Sequence, residues 1–245
     1  MFRSLSLAAA LAAALCTAAT AQDFSKFKFG IQVSPTVSWL NTDDSRIDGD
    51  GTNLGLKLAM QGELFFAENY AIATGIGFYF NAGGTLQSQY GGTFFTASEL
   101  NTPNFPAVLG EQAILKYDIQ YVEIPLALKL RTREFGYLTY YLEAPIFTLG
   151  IRSKATGTLQ GGGQSAVAEE IDIAKEVTPL SLSWGFGGGA EYSISESTRL
   201  FGGLQYQNIF TDVTKDKDYT YAGRTRSDDP KATLGAITLK LGVLF

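Results

Sequence analysis

The chain has 245 residues, 19 basic against 24 acidic, for a formal charge of -5, and it contains no histidine. An acidic balance argues against nucleic acid as a partner. Without histidine, and with Cys16 as the one cysteine, the chain lacks the usual general base and the usual transition-metal ligands. Common nucleophilic triads and typical zinc sites are thereby excluded, and no cofactor is expected.

Residues 1–21 read as a cleaved secretory signal. Arg3 is the only basic residue, an apolar run follows from Leu5, and Ala19-Thr20-Ala21 offers the small residues a signal peptidase needs. Cleavage before Gln22 removes Cys16 and Arg3, leaving 18 basic and 24 acidic residues, a net charge of -6, in a single domain over 22–245. Leu15 before Cys16 does not fit a lipoprotein site.

From Phe29 onward the pattern has period 2, as half-buried strands require. Phe29, Ile31, Val33, Pro35, Val37 and Trp39 alternate with small or polar residues. Leu54, Leu56, Leu58, Met60 and Leu64 do the same, followed by Tyr70, Ile72, Thr74, Ile76, Phe78 and Phe80. The fourth segment is Val122 to Leu130. The fifth places Leu138, Tyr140, Leu142 and Ile146 on one face, and is the least regular because Pro145, Phe147 and Leu149 fall on the other. Leu180 to Tyr192, Leu200 to Tyr206 and Ile237 to Phe245 complete eight segments. Pro35, Pro125 and Pro145 lie inside strands, so bulges or diverging strand pairs are expected there.

The connections alternate. Short ones fall at 67–69, 132–136 and 193–198, and long polar ones at 41–51, 81–113, 152–178 and 211–231. That parity, with turns on one side and loops on the other, is what an outer-membrane barrel shows and a Greek-key sandwich does not need. The second face carries charge: Lys57, Glu63, Glu123, Lys129, Glu143, Glu191 and Lys240, with Gln205. A sandwich core does not hold these, whereas a barrel lumen does. Aromatic residues cluster at both strand ends, Phe29, Phe66, Tyr70, Phe135, Tyr137, Tyr192 and Phe245 at one and Trp39, Phe78, Phe80, Trp184 and Phe210 at the other, as interfacial belts require. The fold expected is all-β: a closed, antiparallel, up-and-down transmembrane β-barrel of about eight strands in the cell outer membrane. Ten strands stay open if the second long loop holds a hairpin around 93–96.

The segment Tyr121-Val-Glu-Ile-Pro-Leu-Ala-Leu-Lys-Leu130, the opening Phe29-Gly-Ile-Gln-Val33 and the closing Leu239-Lys-Leu-Gly-Val-Leu-Phe245 resemble the PorT-type outer-membrane β-barrel family of Bacteroidetes-like bacteria. The resemblance spans the mature chain. It implies outer-membrane lipid as the surroundings and a place for secretion or envelope-assembly proteins among the partners. Phe245 resembles the terminal signal read by the barrel assembly machinery.

An eight-stranded interior is just wide enough for side chains to fill, and buried charges there must pair. The eight lumenal polar residues are therefore expected to form a structural, salt-bridged plug. The alternatives are a narrow polar path for small solutes or a small ligand site. Paired carboxylates suit glycosidase chemistry, but this lumen does not admit a sugar chain. The acidic run at 43–50 misses EF-hand spacing because Arg46 interrupts it. The glycine triplets at 161–163 and 187–189 are not phosphate loops, having no following Lys-Ser/Thr. The expected role is non-enzymatic, structural or interactive through the long outer loops. A secretion accessory and a small channel are the alternatives.

Overall fold

The computed structural model describes residues 26–102, 105–106, 108–161, 167–215, 220–221, 224–225 and 231–245. The expected leader, 1–21, lies outside the described residues, as do Gly162 and Gly163. The strands are β1 (Phe27–Thr42), β2 (Ile47–Ala67), β3 (Tyr70–Ser88), β4 (Ala113–Arg131), β5 (Leu138–Gln160), β6 (Val167–Asp172), β7 (Leu180–Ser193), β8 (Arg199–Ile209), the short β9 (Thr220–Tyr221) and β10 (Arg224–Thr225), and β11 (Ala232–Leu244).

Eight of them close a ring. The hydrogen-bonded order runs β4-β3-β2-β1-β11-β8-β7-β5, and β4 pairs with β5. Every pairing is antiparallel. The chain therefore meanders up and down and closes first strand on last, leaving no edge in the wall. Phe29 and Phe245 exchange both backbone hydrogen bonds at this closure, at 3.2 and 2.7 Å. No helix among the described residues is long and apolar enough to cross a membrane; the crossing elements are strands. The segment around 93–96 adds no strand, while β6 extends the sheet only beside the outer end of β5.

The wall's outer surface is apolar along a band. Ile31, Val33, Leu58, Met60, Ile72, Ile76, Leu126, Leu142, Leu182, Leu239 and Leu241 all face outward and exposed. From Phe29 to Trp39 the strand advances about 33 Å, which at a tilt of about 40° gives the roughly 25 Å of an outer-membrane band. Exposed Phe27, Phe66, Tyr70, Phe135, Tyr137, Tyr192 and Phe245 rim the end with short turns, and Phe78, Phe80, Trp184 and Phe210 the other. Trp39 is half-buried, its ring lying over Gly235, where a Cβ would come within 2.6 Å of it.

Two expectations on strand length change. The first outer connection is a turn of four residues, 43–46, because β2 begins at Ile47 rather than near Asn53. β3, β4 and β5 likewise run far past the membrane band, to Ser88, from Ala113 and to Gln160. The reason is an inversion of polarity. Above the band the outward residues turn polar (Gln87, Lys116, Asp118, Thr156, Thr158), and the inward ones turn apolar. Leu86, Leu115, Tyr117, Ile119, Ala155 and Leu159 are buried there with Leu40, Leu234 and Ile209, and the outer segments add Phe95, Leu109, Ile173, Val177 and Val213. Within lipid the barrel is inside-out; above it, in water, the same wall encloses an ordinary apolar core.

The prolines mark the irregularities. β5 carries one extra residue between Glu143 and Ile146 against both neighbours, a bulge around Pro145. The bulge flips the parity, so Ile146 points inward at 3% exposure and Phe147 points to lipid at 53%. Ile146 was expected outward and Phe147 inward; the added residue exchanges them. At Pro35 the β1–β11 ladder skips two pairs without a change of register, and at Pro125 the β3–β4 ladder does the same. In both places the missing N–H falls where the strands do not bond.

Candidate functional site

The candidate site is the lumen. Its side chains come from alternate positions of all eight wall strands, because residues i and i+2 share a face. Between the two rims they are arranged in levels.

Nearest the periplasmic end, Lys129 on β4 lies 2.5 Å from Glu63 of β2 and 2.7 Å from Glu191 of β7. Arg131, two residues along the same face, reaches Glu191 at 2.8 Å, and Arg199 reaches it at 3.4 Å. Glu63, Lys129 and Glu191 are at most 1% exposed. The Lys129 ammonium also lies 4.5 Å from the centre of the Tyr141 ring. Tyr141 lies across a floor of glycines: a Cβ on Gly203 would meet its hydroxyl at 2.5 Å. Gly189 stands opposite Gly203 of β8, so a large side chain fits inside.

One level up, Lys240 of β11 binds Glu143 of β5 at 2.6 Å. Lys57 of β2 binds Glu123 of β4 at 2.8 Å. Gln207 of β8 ties this pair together: its carbonyl accepts from Lys57, and its amide donates to Glu123 at 3.1 Å and to Ser183 at 2.8 Å. Higher still, Thr36 and Thr238 share a hydrogen bond, and the Ser38 hydroxyl accepts from the Gly83 amide.

Seven of the eight residues singled out in the sequence thus join ion pairs across the lumen. Gln205 is the exception. It lines the lumenal cavity, but among the described residues its side chain makes no hydrogen bond, and Gln207, on the same face one pleat further, holds that role. Arg131 and Arg199 were missed. Arg131 continues the Glu123, Ala127, Lys129 parity, which was the signal available; Arg199 sits at a strand start, where no alternation had begun.

The network is neutral. Four buried glutamates (63, 123, 143, 191) face Lys57, Lys129, Lys240 and Arg131, and Arg199, which also reaches Glu191, is balanced by Glu134 at 3.3 Å. Each carboxylate has a cation within 2.8 Å, which is what a charge in a low-dielectric interior requires. Between the Lys57–Glu123 and Lys240–Glu143 pairs the free space is a cavity of about 70 Å³, room for about two waters. The described residues hold no group of His, Cys, Asp and Glu that could bind a metal ion. In the acidic run at 43–50, Asp43, Asp48 and Asp50 are exposed, while Asp44 has its side chain largely buried and bonds Arg46 at 2.6 Å.

Parts of the outer segments, at Phe95, Leu109, Ile173, Val177 and Val213, pack onto the upper core. Glu176, 4% exposed, gathers three of them. Its Oε1 accepts from the Ala97 amide at 2.7 Å and from the Ser98 hydroxyl at 3.3 Å, and its backbone carbonyl accepts from the Lys215 amide at 2.8 Å. The segments around Ala97, Glu176 and Lys215 are thereby joined.

A closed eight-stranded ring with lipid-facing apolar residues, two aromatic rims and a charged interior defines an integral outer-membrane β-barrel. The chain belongs to the family described as the outer membrane protein beta-barrel domain, whose pattern matches residues 20–215. No curated protein matches it. Among solved structures it is similar to Neisserial surface protein A, at 12% identity over 88% of this chain and 95% of that one, TM-score 0.41. Ail, the attachment invasion locus protein of Yersinia pestis, is 13% identical over 90% and 99%, TM-score 0.36. OprG of Pseudomonas aeruginosa is 11% identical over 89% and 94%, TM-score 0.36. The barrel rests on the chain's own strand ring and on the family match.

Proposed function

We propose that this outer-membrane protein is a plugged, non-enzymatic barrel whose work is done by its outer cap, as a structural element or as a surface for a partner protein. One observation carries the reading: the outer strand ends and connections are built around an apolar core of their own and tied together at Glu176. A pore would gain nothing from such a core, whereas a displayed surface gains a fixed shape. The charge distribution supports it. The described residues of segments 41–52, 89–120, 152–178 and 210–231 include twelve acidic and eight basic ones, so the outer part is net negative. A partner docking there would be basic. The neutral, side-chain-filled lumen speaks for a structural plug over a solute path, and the paired glutamates over acid–base work.

A place in a secretion or envelope-assembly complex, implied by the PorT-type resemblance, would use the same cap or the periplasmic turns. Phe245, exposed at the closing pair, is accessible for a barrel assembly machine. Two experiments test the reading. The purified protein in planar bilayers should show no conductance steps; steady ion conduction would sink the plug. In cells, a variant with 93–108 replaced by a short turn should insert normally yet behave like a gene deletion. Full complementation by that variant would sink the interaction role.

A further inference from the structure

The periplasmic rim holds cations that the plug does not use. Beside the start of β1 and the β2–β3 turn lies an open pocket of about 470 Å³, with Lys26, Lys28, Phe65, Phe66, Glu68 and Arg131 in its lining. Lys28 Nζ stands 5.3 Å from the centre of the Phe65 ring, and Arg131 Cζ stands 5.1 Å from the same centre. Two cations thus share one aromatic ring. Arg131 binds Glu191 through Nη2, while its buried Nε has no partner. Lys26 and Lys28 have no carboxylate within ion-pair distance among the described residues. The nearby Glu63 and Glu191 are already held by Lys129 and Arg131. Glu68 is the one acid of the lining, and it sits in the turn.

Like charges gathered at one pocket raise each other's energy unless an anion lies between them. We propose that this rim pocket binds a phosphate-class oxyanion, supplied by the headgroup of an inner-leaflet phospholipid or as free phosphate. The lining comes from both sides of the wall, which makes the headgroup source physically accessible. Phe66 is 59% exposed on the lipid side, whereas Lys28, Phe65 and Arg131 are on the lumenal parity. A phospholipid seated against Phe66 and Tyr70 would need only to turn its phosphate over the rim to reach Lys26 and Lys28. Phosphate suits the set because its oxygens accept several charge-assisted hydrogen bonds at once. Basic residues at a leaflet surface attract anionic lipid.

The test uses the full mature protein refolded in a phosphate-free zwitterionic detergent. One arm titrates inorganic phosphate and follows the ³¹P line width. The other reconstitutes the barrel into vesicles of phosphatidylglycerol mixed with an uncharged glycolipid, re-extracts it, and counts retained phosphatidylglycerol by native mass spectrometry. K26Q/K28Q leaves every ion pair of the plug in place and should cut retention at least fivefold. Lys28→Arg should restore it, and Lys26→Gln alone, at an exposed position, should about halve it. Retention of phosphatidylglycerol without response to inorganic phosphate assigns the site to the headgroup; response to both assigns it to the phosphate group itself. If neither ligand binds above the level of K26Q/K28Q, or if the wild type and Lys26→Gln retain equal amounts, the proposal is overturned.

Discussion

The ammonium of Lys57 lies 4.2 Å from the centre of the Tyr79 ring and 2.8 Å from Glu123 Oε2. It is the hinge between two interiors. Below it the lumen is charged and paired; above it Tyr79 and Tyr121 begin the apolar core. A cation with one carboxylate and one aromatic face is compatible with both sides, so the change from charged to apolar filling leaves no charge stranded.

Lys129 is the most demanding member of the plug. Replacing it with Met leaves Glu63 without its cation and Glu191 with two of its three, and breaking a buried pair costs about 3–5 kcal/mol. K129M should therefore unfold at markedly lower denaturant in lipid vesicles, read by the heat-dependent gel shift. K129M/E63Q should recover much of the loss, since the orphaned charge is gone. Equal instability of the single and double variants would show that packing, not charge, is what Lys129 supplies.

Neighbouring glycines of β8 should differ sharply. A Cβ on Gly203 meets the Gly188 carbonyl oxygen and the Tyr141 hydroxyl, each at 2.5 Å, whereas on Gly202 the nearest atom is 3.6 Å away. Gly203→Ala should cost about 1–3 kcal/mol through overpacking, and Gly202→Ala close to nothing. Thermal melting followed by circular dichroism separates the two.

Glu176 should matter to the cap and not to the wall. Glu176→Ala removes the acceptor of the Ala97 and Ser98 hydrogen bonds, freeing segment 89–112 to open locally. Limited proteolysis of whole cells should cut within 93–108 several-fold faster, with the membrane-protected fragment unchanged. Unaltered cleavage would mean that the apolar contacts of Phe95 and Leu109 hold the cap by themselves.

Phe245→Ala keeps both backbone bonds to Phe29 and removes only an exposed ring. The purified variant should refold as stable as the parent, while its level in the outer membrane of cells should fall several-fold. Undiminished assembly in cells would remove the recognition role of this residue.

Much of the wall was legible in sequence because lipid enforces period 2 with a constant sign. Ile31, Val33 and Val37 on β1, and Ile237, Leu239 and Leu241 on its partner β11, could hardly be read otherwise. Legibility stopped where the sign reversed. Past Phe80 the apolar residues Ala82, Leu86, Leu115 and Ile119 face inward, and a bulge with Asn81 at a positive φ shifts the phase at the same point. A scan for lipid-facing alternation therefore ends strands that in fact continue. The lumenal charges were legible because an inward lysine or glutamate is costly anywhere but in such an interior. Their partners were not, because pairing across the lumen joins residues such as Lys240 and Glu143 on β11 and β5, which have β8 and β7 between them, and only the curvature of the closed ring brings them together. Gln207 and Gln205 were equivalent by parity; which one lands on Lys57 depends on the stagger between β8 and β2.

The reversal of polarity also orders the protein's maturation. The charged lower compartment can fill while the wall closes within the bilayer. The upper compartment joins parts of Phe95, Leu109, Val177 and Val213 that have to reach the far side first, and its packing releases water only there. Wall and head would form in sequence, and a newly inserted molecule would pass through a stage with a finished cylinder and an unfinished crown, briefly open to external proteases and to the wrong neighbours.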